Sequence, residues 1–240
     1  MVHKNIYMEN RVSQNWNLFN QYFLSSDIFR LKKFLVKHDL FKKVLNVPGN
    51  IVELGVFKGV GFCQLLKLRE IYTPGSEKMV VGFDYFDKVN LSGQLDYDST
   101  EMDKFYKDRG VDPKKGISKE LLNNIYDDIG FSYYNSNEGG KPYKLIDGDV
   151  LKTLPIFLEK NKGFRISFLL FDMDMYKPTL DSLNLLYDRV TRGGIVIFDE
   201  YGCDEWGESD AVDEWLKEHP EITLRTDYYS GSPTAYFIKK

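Results

Sequence analysis

Four acidic side chains follow two hydrophobic runs, and their types and spacing suit the binding of a metal ion. They are Asp172, Asp174, Asp199 and Glu200. Residues 166–171 and 195–198, which precede them, are continuous hydrophobic runs of the kind that form fully buried strands. The carboxyl ends of neighbouring parallel strands meet at one edge of a sheet, so these carboxylates would converge on one crevice. Their mutual repulsion requires a cation, and the sequence predicts a hard divalent metal such as Mg²⁺ there.

A glycine-containing turn follows the first predicted strand, residues 51–54. In the pattern Glu53-x-Gly55-x-x-x-Gly59, the glycines let the backbone approach a ligand at a helix N-terminus, and Glu53 can accept hydrogen bonds from an ammonium or hydroxyl group. The spacing is not the dinucleotide fingerprint, and it suits a cofactor with a cationic amino-acid tail. Asp84 ends the next strand, where a carboxylate commonly binds ribose hydroxyls. A tight turn with close helix packing would require the same glycines.

Composition and charge exclude several classes of protein. The chain has 240 residues, of which 42% are hydrophobic and 28% charged, and it is interpreted as a single domain, residues 1–240. Its net charge of −4 gives no general attraction to nucleic acid or to an anionic membrane. Cys63 and Cys203 are too few for a disulfide framework, and no apolar run approaches the roughly 18 residues of a membrane span. The N-terminus lacks a secretory apolar core, so a cytoplasmic location is expected.

Strand and helix signals alternate along the chain, which predicts a doubly wound α/β fold with a mostly parallel sheet. Residues 1–47 form a predicted N-terminal helical layer, with Ser25-Ser26-Asp27 capping a helix that begins at Ile28. Residues 88–141 are interpreted as a lid or acceptor-binding insertion with short helices near 105–106 and 121–122. The C-terminal hydrophobic runs flank a Gly-Ser-Pro turn and predict an antiparallel hairpin that closes the sheet. The predicted strands are residues 51–54, 79–84, 143–147, 166–171 and 195–198, and the hairpin arms are residues 222–227 and 234–238.

Six segments, taken in order, resemble the class I S-adenosylmethionine-dependent methyltransferases. They are Glu53-x-Gly55-x-x-x-Gly59, Gly82-Phe83-Asp84, Gly148-Asp149, Asp172-Met173-Asp174-Met175-Tyr176, Gly193-Gly194 and Asp199-Glu200-Tyr201. Within that class they are most similar to the macrocin O-methyltransferase family, whose members methylate sugar hydroxyls using magnesium. The resemblance runs from about Val47 to the C-terminus and is most specific in the two acidic segments.

This resemblance implies a Rossmann-like methyltransferase fold and a role for each matched residue. Asp84 would bind the ribose of S-adenosylmethionine, and Asp149 would lie near its adenine. Asp172 would serve both the cofactor and the metal. The residues implied at the methionine end of the cofactor are Glu53, Gly55, Val56 and Gly59, and the implied metal ligands are Asp172, Asp199 and Glu200. The family usually has a second Asp where this chain has Glu200, which keeps a carboxylate but lengthens its reach.

The expected activity is metal-dependent transfer of a methyl group from S-adenosylmethionine to a sugar or glycoside hydroxyl. Such a hydroxyl is a weak acid, and a bound divalent metal would lower its pKa. Asp174 would then take the proton, unless it caps the helix that follows it. The alternatives are methylation of a phenol or catechol, and a non-catalytic S-adenosylmethionine-binding protein. No nucleic acid or membrane partner is expected, and homo-oligomer formation, which is common in the family resembled, stays open.

Overall fold

The computed structural model describes residues 16–86, 118–127, 129 and 141–240. Most of the predicted insertion, residues 88–141, and the short helix predicted near 105–106 therefore lie outside the described residues. The short helix predicted near 121–122 is present, as part of a helix over Lys119–Asp127. The division of the chain into a single domain with an N-terminal layer and an insertion stays a prediction.

Six strands form one sheet in the order β3-β2-β1-β4-β5-β6. The first five run parallel to one another, and β6 pairs antiparallel with β5. The chain moves outward from β1 to β3, then returns to β4 on the other side of β1, so the strand order reverses between β1 and β4. The predicted doubly wound, mostly parallel fold is confirmed. The strands are β1 Asn50–Leu54, β2 Val80–Asp84, β3 Tyr143–Asp147, β4 Ile166–Phe171, β5 Val190–Phe198 and β6 Ala235–Ile238.

Helices cover both faces of the sheet, which is why the central strands are hydrophobic without interruption. Every residue of β4 is buried. One core cluster joins the sheet to α2, α3 and α4, and a second joins its other face to α5, α6 and α7. The helices are α1 over residues 16–23, α2 Ile28–Lys42, α3 Val60–Tyr72, α4 Lys119–Asp127, α5 Val150–Lys160, α6 Tyr176–Leu186 and α7 Glu208–Lys217. None of the helices in the described ranges is long and apolar enough to cross a bilayer.

The predicted cap of the N-terminal layer is present. Asp27 is the N-cap of α2, and its side chain accepts a hydrogen bond from the backbone N–H of Arg30. This bond satisfies one of the amide donors that an α-helix leaves unpaired at its start. Further along, Val36 and Leu40 of α2 are buried in the sheet-facing core, so the cap sets where the helix begins and the apolar residues set which side faces the sheet.

The C-terminal antiparallel pair closes the sheet as predicted, although its first arm is shorter than expected. Within residues 222–227, Arg225 exchanges two backbone hydrogen bonds of 2.8 Å with Tyr236 and forms an isolated bridge. Ile222 and Leu224 of this arm pack against the core. The longer ladder of β6 is made with β5, and Tyr236 pairs with both Ile197 of β5 and Arg225.

Candidate active site

The predicted acidic strand ends lie side by side at the carboxyl edge of the sheet. Leu54 of β1, Phe171 of β4 and Phe198 of β5 are in register. The residues that follow keep this alignment, because the Asp172 N–H donates to Leu54 O at 2.8 Å and the Asp199 N–H donates to Phe171 O at 3.0 Å. The acids therefore surround the position where the strand order reverses, which is where open α/β sheets bind their ligands.

Two lysines of α2 lie among these acids, and the sequence did not identify them. Lys33 Nζ donates a short hydrogen bond to Asp199 Oδ2 and lies 3.7 Å from Asp172 Oδ2. Lys37 Nζ lies 3.8 Å from Asp172 Oδ2 and 3.6 Å from Glu53 Oε1. The cations that offset the acidic strand ends thus include side chains of the protein itself. Only the spacing of four between the two lysines, which puts them on one helix face, hinted at this from the sequence.

Lys33 and Asp199 each stabilise the charged form of the other. Burial alone would raise the pKa of Asp199, but Lys33, Lys37 and the hydrogen bonds from Lys33 and Ser232 outweigh it and lower that pKa. Burial would likewise lower the pKa of Lys33, but Asp172 and Asp199 raise it. Both groups are therefore charged at neutral pH.

The charged forms of Asp172, Asp174 and Glu200 are disfavoured by burial and by neighbouring carboxylates. Burial and the neighbouring Asp199 raise the pKa of Asp172 to about 6. Burial and the same neighbour raise the pKa of Glu200 to about 7. Burial, followed by repulsion from Asp172 and Glu200, raises the pKa of Asp174 well above its usual range. A further cation at this edge would relieve the repulsion that adds to the effect of burial in these shifts.

Glu53 has an unsatisfied oxygen at the methionine end of the predicted cofactor site. The side chain is 1% exposed, and its Oε2 atom has no hydrogen-bond partner in the part of the chain that the structure describes. Burial raises the pKa of Glu53 to about 8, although Lys37 lowers it. A buried carboxylate oxygen without a donor costs free energy, so the site fits a ligand that brings an ammonium group.

Gly55 and Gly59 are both needed because other atoms lie too close for a side chain: backbone atoms at Gly55 and side-chain atoms at Gly59. Gly55 has a φ of +91°, and a Cβ at this position would lie 1.8 Å from the backbone oxygen of Asp172. Gly59 has a φ of +80°, and a Cβ there would lie 2.4 Å from side-chain atoms of Leu122 and Tyr126. Gly59 is therefore required for packing against α4. This agrees with the alternative that close helix packing needs the same glycines.

Two of the predicted cofactor residues also hold the backbone. Asp84 Oδ2 accepts hydrogen bonds from the backbone N–H groups of Val56 and Phe57, so Asp84 shapes the turn that follows β1. Asp149 is the N-cap of α5 and accepts from Leu151 N at 3.0 Å. These contacts place both acids at the carboxyl edge of the sheet. Their predicted contacts with ribose and adenine stay predictions.

Asp174 does not have the geometry of a helix cap. Met175, not Asp174, is the N-cap of α6, and the side chain of Met175 makes no capping hydrogen bond. Asp174 has a φ of +66°, a left-handed conformation that few residues other than glycine adopt. Strained backbone of this kind often accompanies function. The role of Asp174 as a base stays a prediction.

Glu208 is a buried acid at this site that the sequence did not identify. It is fully buried at the start of α7, and its Oε1 atom accepts a hydrogen bond of 2.9 Å from the backbone N–H of Glu200. Burial raises the pKa of Glu208 well above its usual range, although this hydrogen bond lowers it. Glu208 therefore fixes the backbone of the second acidic segment from a position eight residues away.

The donor set at this edge fits a divalent metal in its chemistry. Carboxylate oxygens are the ligands that Mg²⁺ prefers, and Asp199 Oδ1 is buried without a hydrogen-bond partner among the described residues. Across those same residues, no three acid, histidine or cysteine side chains are grouped as a ready-made metal site. Lys33 bonds the other oxygen of Asp199. The metal and its predicted ligands Asp172, Asp199 and Glu200 therefore stay predictions.

A profile of a known family matches most of the chain. The profile is described as Macrocin-O-methyltransferase (TylF), and it matches residues 29–225. The chain is also 28% identical over 174 residues to the demethyldecarbamoylnovobiocin O-methyltransferase of Streptomyces niveus. That match covers 71% of this chain and 59% of the Streptomyces protein, so the chain spans less than two thirds of this relative's length.

Solved structures with the same fold include two of one enzyme. A crystal structure of CalS11, described as a calicheamicin methyltransferase, has a TM-score of 0.74 and 26% identity, covering 94% of this chain and 85% of the other. An apo structure of CalS11, described as a TDP-rhamnose 3'-O-methyltransferase, has a TM-score of 0.66 and 28% identity, covering 91% and 82%. The O-methyltransferase NovP shares the fold, with a TM-score of 0.69 and 21% identity over 87% of this chain and 80% of NovP.

Proposed function

Because the chain belongs to the macrocin-O-methyltransferase family, we propose that it transfers a methyl group from S-adenosylmethionine to a hydroxyl of a sugar or glycoside. The observation that carries this proposal is the acid-lined edge at the reversal of strand order, where the ends of β1, β4 and β5 meet. CalS11, which is 28% identical to this chain, is described as acting on TDP-rhamnose, and this supports a sugar acceptor.

The residues around β1 have the properties needed to hold the cofactor. S-adenosylmethionine would supply an electrophilic methyl group together with a methionine tail that carries an ammonium. Glu53 has a buried carboxylate oxygen to which no described residue donates, and this oxygen would accept a hydrogen bond from that ammonium. Gly55 lets the turn lie close to the end of β4. The backbone N–H groups of Val56 and Phe57 donate to Asp84, which fixes the turn. Asp149 would lie beside the adenine from the start of α5.

A divalent metal, Mg²⁺ or a similar ion, is proposed at the carboxylates of Asp172, Asp199 and Glu200. It would polarise the acceptor hydroxyl and lower its pKa, which makes the oxygen a better nucleophile toward the methyl group. Asp199 offers its buried Oδ1 atom, which makes no hydrogen bond among the described residues. Glu208 keeps the backbone of Glu200 in place through the hydrogen bond to its N–H.

Asp174 is proposed as the base that takes the hydroxyl proton. It follows Asp172 by two residues, and its left-handed backbone directs the chain away from helical geometry just before α6. Burial and the neighbouring carboxylates raise its pKa, which brings a carboxyl group toward the range in which a base works at neutral pH. The added cation would lower that pKa again and favour the ionised form.

A methyl-transfer screen with several acceptor classes tests this proposal. Nucleotide sugars, simple glycosides and catechols would be incubated with methyl-labelled S-adenosylmethionine, in Mg²⁺ and in excess chelator. We expect transfer to a nucleotide sugar or glycoside in Mg²⁺ and loss of transfer in chelator. Asp199→Asn should lower turnover, with partial recovery at higher Mg²⁺. Asp188→Asn, an exposed acid just before β5 and far from its carboxyl end, is the matched control and should retain activity.

The outcomes separate the parts of the proposal. Transfer to catechols alone would show that the acceptor is a phenol. Full activity in chelator would show that the metal assignment is wrong and would return the acids to structural roles. Failure to bind S-adenosylmethionine or its demethylated product by calorimetry would overturn the cofactor assignment itself.

A further inference from the structure

Lys37 is a buried cation, and no described residue accepts a hydrogen bond of ordinary length from it. The side chain is 1% exposed, although lysine is rarely buried to this extent. Its two nearest acidic oxygens, on Glu53 and Asp172, lie 3.6 and 3.8 Å away. Hydrogen bonds from an ammonium to a carboxylate are usually about 2.7–2.9 Å long, so these contacts offset charge without using the donors of Lys37 fully.

The position of Lys37 is next to the start of α3. A Cβ on Gly61, the second residue of that helix, would lie 2.9 Å from Lys37 Nζ and 2.5 Å from Glu53 Oε1. The first turn of an α-helix has backbone N–H groups without partners inside the helix, and it attracts anions. Lys37 Nζ and the Glu53 carboxylate therefore both lie beside the first turn of α3.

The charged groups of the cofactor tail indicate what could bind beside Lys37. The methionine end of S-adenosylmethionine carries a carboxylate as well as an ammonium, and a carboxylate entering an edge lined by acids would be repelled. The lysines that form ion pairs with these acids in the described residues are Lys33 and Lys37. Lys33 already donates a short hydrogen bond to Asp199, whereas the contacts of Lys37 are long.

We propose that Lys37 is the residue that binds the carboxylate of the cofactor, while Glu53 binds its ammonium. This inference rests on the proposed cofactor and extends it to a residue of α2. It makes the N-terminal helical layer a part of the cofactor site. It also explains why a lysine is buried against Glu53, since the two side chains together match a zwitterion.

Calorimetric titration of the folded full chain with two ligands tests the role of Lys37. S-adenosylhomocysteine carries both charged groups of the tail, and its decarboxylated form keeps the ammonium alone. We expect wild type to bind S-adenosylhomocysteine more tightly than the decarboxylated form. Lys37→Met should lower the affinity for S-adenosylhomocysteine by about 10- to 100-fold, the usual worth of a charge-assisted hydrogen bond. The same variant should bind the decarboxylated form as tightly as wild type or more tightly, because repulsion of the ammonium is removed.

Lys33→Met is the matched control, since Lys33 lies one turn earlier on the same helix and shares the contact with Asp172, but forms its ion pair with Asp199 and not with Glu53. It should leave the ratio of the two affinities at the wild-type value. A Lys37→Met protein that keeps the wild-type preference for the carboxylate would overturn the proposal and assign the carboxylate to the N–H groups of α3. An equal loss of both ligands would also overturn it.

Wild type alone provides a second measurement if Lys37→Met does not fold. Equal binding of the two ligands by wild type would show that nothing in the site holds the carboxylate, and Lys37 would then be a counter-ion of the acids. Absence of any S-adenosylhomocysteine binding would instead remove the cofactor assignment on which the inference depends.

Discussion

At the scale of single residues, the site is defined by carboxylates whose environments differ. Asp199 is held ionised by Lys33 and by the hydroxyl of Ser232, which donates to its Oδ2 atom at 2.8 Å. No lysine among the described residues donates such a hydrogen bond to Asp174, and burial together with its acidic neighbours raises its pKa. Carboxyl groups with such different pKa values are suited to different roles, one as an anionic ligand and the other as a proton acceptor.

Asp174→Asn distinguishes a base from a structural residue. If Asp174 removes the hydroxyl proton, the variant should lose turnover by roughly 10²- to 10⁴-fold, the usual worth of a positioned base. Asparagine tolerates a positive φ about as well as aspartate does, so the backbone at this position should be preserved. Steady-state rates at saturating cofactor and metal, with S-adenosylhomocysteine affinity as the control, measure the effect. Near-wild-type turnover would mean that water or another residue accepts the proton.

At the scale of elements, the site depends on how closely the turn after β1 approaches the end of β4. Gly55 donates its N–H to Phe83 O of β2, and Asp172 donates to Leu54 O of β1, so the three strand ends are linked through this turn. The α2 helix closes the same edge from the side, with Lys33 and Lys37 directed at the acids. The turn and the helix therefore act together on the position of Asp172.

Gly55→Ala tests the close approach of this turn to β4. A Cβ would lie 1.8 Å from the backbone oxygen of Asp172, and the φ of +91° is itself unfavourable for alanine. Because the obstructing atom belongs to the backbone, one strand end must move, and we expect a loss of several kcal/mol in the free energy of unfolding. Urea denaturation measures it. Gly163→Ala is the control, since no atom lies within 4 Å of its Cβ position, and a similar loss in both variants would contradict the explanation.

At the scale of the whole molecule, the acids of the site lower the free energy of unfolding of the ligand-free protein. Glu53, Asp172 and Glu200 have pKa values of about 8, 6 and 7, all above the roughly 4 of a carboxyl group in an unfolded chain. At a pH between about 4 and the raised pKa of each group, the native state keeps a proton that the unfolded state has released. The concentration of acids that suits the site to cations therefore lowers the stability of the empty protein.

The sign of these shifts predicts how stability depends on pH. Since the native state binds more protons, the free energy of unfolding of the ligand-free protein should fall as pH rises from about 5 to about 8. Each group contributes at most about 1.4 kcal/mol per pH unit while it titrates. Urea denaturation at about pH 6 and about pH 8 measures the fall, and Glu53→Gln should reduce it at the alkaline end. A stability that stays level over this range would show that the acids are already ionised in the native state, and a rising one would also contradict the prediction.

Much of the fold followed from local sequence patterns. Residues 166–171 match β4 residue for residue, because a strand buried on both faces is hydrophobic along its whole length. Asp27 marked the start of α2, because a cap bonds to an amide three residues away. The ends of β4 and β5 each carry acids, and the rule that parallel strands share a carboxyl edge was enough to bring Asp172 and Asp199 together.

Only the tertiary structure decided which side chains form ion pairs and hydrogen bonds with the acidic segments. Lys33 and Asp199 are 166 residues apart, and their contact depends on how α2 packs over the sheet, which no short-range pattern encodes. Glu208 reaches the backbone of Glu200 because α7 turns back toward the strand end, and the burial of Lys37 depends on the same long-range packing. Hydrophobic periodicity and helix caps depend on residues a few positions apart, so the sequence alone predicts them. The electrostatic partners of a site are set by distances between elements, so they appear only in the folded molecule.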